Sequence, residues 1–181
     1  GIKNVVASSG TSLTIEQIRL VHRFTNTMLL LYDGDKAGIK ASLRGIDMLL
    51  REGLNIKVAL LPDGEDPDSY AQSHSTEEVE QFIEKNKIDF IRFKTNLLLN
   101  EVGDDPIRRA GLIEDIAKSI AVVPSDILRS EYIKKCSDML KVSEQILVQG
   151  IAKFRRQNAE EAEKRSNNAN TNENNNETAQ Q

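Results

Sequence analysis

One cysteine, two histidines and no tryptophan leave this 181-residue chain short of several chemistries at once. A lone Cys136 excludes an internal disulfide framework and a cysteine-based zinc site. On a helical pattern with Tyr132 and Met139 it reads as a core residue rather than a nucleophile. His22 and His74 lack metal-ligand spacing and are expected to be structural or surface residues. No apolar run approaches the roughly 18 residues that cross a bilayer, and the N-terminus lacks the layout of a signal peptide. No membrane contact and a cytoplasmic location are therefore expected.

Apolar residues are scarce as well, at 39 %, and the shortage is concentrated at one end. Residues 158–181 contain no Val, Ile, Leu, Met or aromatic side chain, while eight of these 24 positions are Asn. Such a segment cannot bury enough surface to offset its ordering entropy, so a disordered Asn/Glu-rich linker or tail is expected there. Excess positive charge is also missing. The net charge is -4, and with the tail's five Glu, one Lys and one Arg set aside the body stands near -1. That argues against an overwhelming basic field, though a local basic groove stays open.

Three short apolar runs, Val5 to Ser8, Met28 to Tyr32 and Lys57 to Leu61, look like buried parallel strands. Between them Thr14 and Gln17 form a capping box that opens one helix, with Ile15 and Ile18 on one face. A second helix is predicted from about Lys36 to Arg51, stopped at Gly53. The β-α-β-α-β order implies an α/β fold with right-handed crossovers and ligands beyond the carboxyl ends of the strands. After Leu61 only helices are expected: one capped by Ser75 with Glu78, one over Ile88 to Glu101, and one opened by Asp105-Pro106. The last carries Ile107, Ala110, Ile113, Ile116, Ala117 and Ile120 at three-and-four spacing. Two further helices begin at Pro124-Ser125 and Val142-Ser143. The expected divisions are an α/β subdomain over 1–84, an all-helical bundle over 85–157 and the tail over 158–181.

The strongest chemical signal is Leu31-Tyr32-Asp33-Gly34-Asp35-Lys36. A buried strand delivers two carboxylates just where it ends, and Gly34 lets the chain turn between them. Hard cations such as Mg²⁺ are usually held by one or two carboxylates, with water and phosphate oxygens completing the shell. The alternative is a helix cap at Asp33 and a solvated acid at Asp35. An EF-hand loop is disfavoured because Arg44 stands where its bidentate Glu belongs. A haloacid-dehalogenase-type phosphatase also uses Asp-x-Asp after a strand, but usually has Thr or Val where this chain has Ala37.

A second acidic segment, Pro62-Asp63-Gly64-Glu65-Asp66-Pro67-Asp68, follows the third expected strand. Acids gathered at neighbouring strand ends repel one another unless cations are present, so two clusters imply a metal better than one does. An ordinary turn is the competing reading. The Ser8-Ser9-Gly10-Thr11-Ser12 loop and the Lys36, Lys40 and Arg44 face could meet phosphate, yet a plain loop and a solvated helix face are the more frequent explanations.

Taken together, Val5-Val6-Ala7-Ser8-Ser9-Gly10-Thr11-Ser12-Leu13-Thr14, Tyr32-Asp33-Gly34-Asp35-Lys36-Ala37-Gly38 and Leu61-Pro62-Asp63-Gly64-Glu65-Asp66-Pro67-Asp68 closely resemble, in order and spacing, the Toprim fold of bacterial DNA primases. The resemblance implies a partial Toprim sheet, with the bundle closing the polymerase domain, and a parent enzyme that makes RNA primers in DNA replication. It implies that Asp33 and Asp35 are catalytic and hold Mg²⁺ or Mn²⁺, and that Asp66 and Asp68 complete the metal site. It further implies a single-stranded DNA template, NTPs and an RNA primer as partners. The family's Glu-Gly-Tyr-x-Asp motif, its zinc-binding domain and its basic template-gripping subdomain precede the matched segments and are absent here. A fragment that alone makes no primer is thus expected, with zinc and the replicative helicase bound only by domains outside it. A metal- or nucleotide-binding scaffold with a protein-docking bundle remains the competing reading.

Overall fold

The computed structural model describes residues 2–7, 13–33 and 36–178, except the side chains of 36–38, 40–42, 44 and 165–178. Helix α1 (Ile15–His22) starts on the expected capping box, in which Thr14 Oγ1 accepts from the Gln17 amide and the Gln17 side chain accepts from the Thr14 amide. It buries Ile18 and leaves Ile15 41 % exposed, so only the centre of the predicted stripe reaches the core. Strand β1 (Thr27–Tyr32) follows, then helix α2 (Lys36–Arg51) and strand β2 (Asn55–Leu60).

Gly53 ends α2 with φ +86°, a left-handed value that a side chain would resist, and its amide donates to Leu50. The crossover makes β1 and β2 parallel, paired from Thr27 with Asn55 to Tyr32 with Leu60. Ile39, Leu43, Ile46, Leu49 and Leu50 of α2 are buried in the same core as Ile56 and Val58 of β2. Each such side chain contributes roughly 1.5–3 kcal/mol when fully removed from water.

Three expectations change beyond this point. Residues 5–7 of the predicted first strand are irregular, with Val5 and Val6 at 67 % and 80 % exposure, while Ser8 lies outside the described residues. A hydrophobic run becomes a strand only when a neighbour takes up its ladder bonds, and among the described residues none does so for 5–7. The sheet is also mixed rather than purely parallel. A two-residue strand β3 (Ile88–Asp89) pairs antiparallel with β2, where only helix was expected. Finally, the acidic segment is followed by a short helix α3 (Pro67–Ser73) that was not predicted, ahead of α4 (Thr76–Asn86), which opens on the expected Ser75 and Glu78 capping box.

The bundle comprises α5 (Phe90–Val102), α6 (Pro106–Ala121), α7 (Asp126–Leu140) and α8 (Glu144–Thr178). Asp105 and Ser125 cap α6 and α7 as their sequence positions suggest. The α6 stripe is rotated from the expected one: Ile107 is 83 % exposed, whereas Leu112 and Ser119 join Ile116, Ala117 and Ile120 inside. Phe90 and Ile91 of α5, both fully buried, share one apolar core with Ile18 and Val58 on one side and Leu147 and Ile151 on the other. Buried residues on both sides of residue 85 thus belong to one cluster.

Helix α8 extends past Gln157 to Thr178. Its packed turns are those around Leu147 and Ile151. Residues 158–164 are all exposed. Among the described residues no helix is long and apolar enough to cross a membrane.

Candidate metal centre

The parallel register brings the two acidic segments to one edge. Beyond the Tyr32 and Leu60 pair, the Leu61 amide still donates to the Tyr32 carbonyl at 2.8 Å, so Asp33 and Pro62 leave the sheet side by side at its carboxyl end. Asp33 is exposed there. Asp35 and the Ser8 to Ser12 loop lie outside the described residues, as do the side chains of Lys36, Lys40 and Arg44.

A small satellite core of Leu61, Tyr70 and Val79, packed with Leu31 and Phe82, anchors the second acidic loop. Tyr70 stacks on His74 at 4.0 Å between ring centroids, which gives that histidine the structural role its spacing suggested. Gly64 turns the loop with φ +86° and open space where a Cβ would stand, so backbone conformation rather than crowding sets that position. The Glu65 amide closes the turn on the Pro62 carbonyl at 3.1 Å.

Asp66 then caps α3, its Oδ1 accepting from the amides of Asp68 at 2.8 Å and Ser69 at 3.0 Å. Hydrogen bonds from the backbone amides of Ser69 and then Asp68 hold its carboxyl below the usual range, so it is ionised at neutral pH. Asp68 is exposed and accepts from Gln72 Nε2 at 2.9 Å. The donors are therefore hard, anionic oxygens, as Mg²⁺ or Mn²⁺ requires, and Asp66 keeps one oxygen outside its cap. Among the described residues no group of three or more His, Cys, Asp or Glu stands close enough to hold a metal.

Two polar constellations had no part in the sequence reading. Asp89 caps α5 through Oδ1, accepting from Ile91 and Arg92, while its Oδ2 accepts from the Tyr132 hydroxyl at 2.6 Å. An Asp just before Phe90-Ile91 was a legible cap signal, but the Tyr132 partner depends on the fold. Likewise Lys94, buried on α5, donates to Ser119 Oγ at 2.7 Å, and that hydroxyl donates to Asp47 Oδ1 of α2 at 2.8 Å. This link ties the helix that follows the acid pair to the bundle. Cys136 is buried as expected, with burial pushing its thiol up to about 11.

Against known families, residues 1–71 match the Toprim-like family and residues 91–145 match the DnaB-helicase binding domain of primase. A Toprim-like sheet joined to a primase helical module defines the class. The DNA primase of Staphylococcus epidermidis is 34 % identical over 143 residues, covering 79 % of this chain and 24 % of that protein. The E. coli primase catalytic core superposes with a TM-score of 0.64 at 32 % identity, covering 74 % of this chain and 44 % of that one. A primase domain from Pseudomonas aeruginosa shares the fold at a TM-score of 0.65, covering 81 % and 46 % of the two chains at 24 % identity. The chain belongs to the bacterial DNA primase family and spans about a quarter of the length of the curated relatives it matches. The helicase-binding match corrects one expectation, since it falls on the bundle itself rather than in a domain outside these residues.

Proposed function

We propose that the chain supplies the Toprim portion of the nucleotidyl-transfer centre of a DNA primase, with Asp33 and Asp35 as the primary carboxylates for Mg²⁺ or Mn²⁺ and Asp66 and Asp68 as their companions. One observation carries the reading: two adjacent parallel strands in register both end in acidic segments at their carboxyl ends, where α/β sheets bind ligands. A bound divalent cation supplies charge neutralisation at a nucleotide triphosphate. Asp66, held ionised and fixed in orientation by two amides, is pre-organised to contribute its second oxygen.

In the parent enzyme the substrates are then NTPs, a single-stranded DNA template and a growing RNA primer, and the compartment is the cytoplasm. The match over 91–145 supports a contact between the bundle and the replicative helicase. The relatives' name, DNA primase, favours this reading over a phosphatase or a non-catalytic scaffold.

Calorimetry with Mn²⁺ on the wild-type chain and on Asp33→Ala/Asp35→Ala tests the metal assignment. Heat is expected from the first and little from the second; equal heats refute it. In the parent-length enzyme the same pair of substitutions should abolish primer synthesis on single-stranded DNA.

A further inference from the structure

A shallow groove of about 530 Å³ lies between α7 and α8, away from the acidic edge of the sheet. Its floor is aliphatic, with Ile133 from α7 and Val148, Ile151 and Ala152 from α8. Ile151 is 4 % exposed and Val148 is 48 % exposed, so the floor grades from core to open surface. The rim carries Arg129, Arg155 and Arg156.

These three cations are unequally occupied. Arg129 turns inward, donating to the Val123 and Pro124 carbonyls and pairing with the Asp126 carboxylate. Burial lowers its pKa, and repulsion from Arg155 lowers it further. Among the described residues Arg155 reaches only the Ala121 carbonyl, at 3.5 Å. Among the described residues no carboxylate pairs with Arg155 or Arg156. The groove thus joins apolar surface to unbalanced positive charge, on a chain whose net charge is -4.

We infer that this groove docks an acidic amphipathic helix of a protein partner, its apolar stripe on Val148 and Ile151 and its carboxylates on Arg155 and Arg156. A trough between two helices receives a third through side chains at i, i+3, i+4 and i+7. An aliphatic floor without an aromatic ring gives a base nothing to stack on, which favours a peptide over single-stranded nucleic acid. The inference rests on reading the bundle as a protein-docking module, because the α7 wall lies inside the 91–145 match and the α8 wall follows it.

The test is fluorescence anisotropy of the full chain with a labelled designed helix bearing Leu at that spacing and Glu on its flanks, beside a copy with Lys in place of Glu. The Glu helix should bind, more weakly as salt rises, and the Lys helix should not. Arg155→Glu/Arg156→Glu should weaken binding about tenfold or more. Val148→Gln should weaken it several-fold, and circular dichroism should be unchanged in both variants. Equal affinity for the two helices, indifference to the Arg reversals, or displacement by a single-stranded oligonucleotide overturns the inference. Retention of the replicative helicase by immobilised chain tests the module reading separately. Helicase held while the Glu helix is ignored refutes the groove and spares the module; the Glu helix bound while helicase is not held refutes the module and spares the groove.

Discussion

Replacing Asp89 by Ala should be among the costliest single changes to a polar residue of this chain, because one side chain serves two elements. Its Oδ1 satisfies the first amides of α5, a cap whose loss typically costs about 1 kcal/mol. Its Oδ2 is the acceptor for the Tyr132 hydroxyl, and Tyr132 is 9 % exposed, so truncation strands a buried donor at about 1–3 kcal/mol. The two together come to about 3 kcal/mol, or roughly 6–12 °C in Tm for a domain of this size. Tyr132→Phe removes the hydroxyl and its need for a partner together, and should cost only about 1 kcal/mol. In that background Asp89→Ala should lose the cap alone, leaving a coupling energy of about 1–2 kcal/mol in a double-mutant cycle read by urea unfolding. If the two changes simply add, the 2.6 Å bond does not hold α7 against the start of α5, and the account of this junction is wrong.

Four further outcomes follow from the same packing. Burial and the Asp89 bond raise the pKa of Tyr132 above its ordinary value, so the unfolded state ionises first; stability should be intact below pH about 10 and fall above it, with a shallower fall in Tyr132→Phe. Cys136, pushed up to about 11, should resist iodoacetamide in the native chain at pH 8 and react fully in urea, as mass spectrometry would show. Asp66→Asn keeps a cap acceptor but loses the charge, so it should lose only the charge-dependent share of stability and weaken Mn²⁺ binding, whereas Asp66→Ala should lose the cap as well; because the Asp66 pKa is depressed, that share is present above the usual carboxyl pKa and lost as pH falls through the folded value. Asp47→Leu, which strands Lys94 and Ser119, should destabilise clearly in denaturant unfolding, and Lys94→Met added to it should recover part of the loss.

Local chemistry was legible where it is self-contained. The capping boxes at Thr14 and Ser75, the caps at Asp105 and Ser125 and the glycine stop at Gly53 each depend on residues within one turn, and all stand where the sequence placed them. The same locality misled at Val5 and Val6, whose apolar run says nothing about a pairing neighbour, and at Ile107, where three-and-four spacing could not tell which side α5 and α8 would cover. The acidic segments were legible as clusters. That Asp66 spends one oxygen on a helix cap was not, because α3 owes its place to Tyr70 packing on Leu61 and Val79, residues scattered along the chain.

By itself, then, the sequence determined the element order from α1 through β2, most of the helix starts, and the acids that follow both parallel strands, because propensity, capping and turn chemistry act over a few residues. Only the tertiary structure decided that Asp33 and Pro62 leave the sheet together, that Asp89 meets Tyr132 across 43 positions, and that Arg155 and Arg156 border an aliphatic groove with no carboxylate partner among the described residues. Those facts depend on register and helix rotation, which are set by the whole core at once and by no local run of residues.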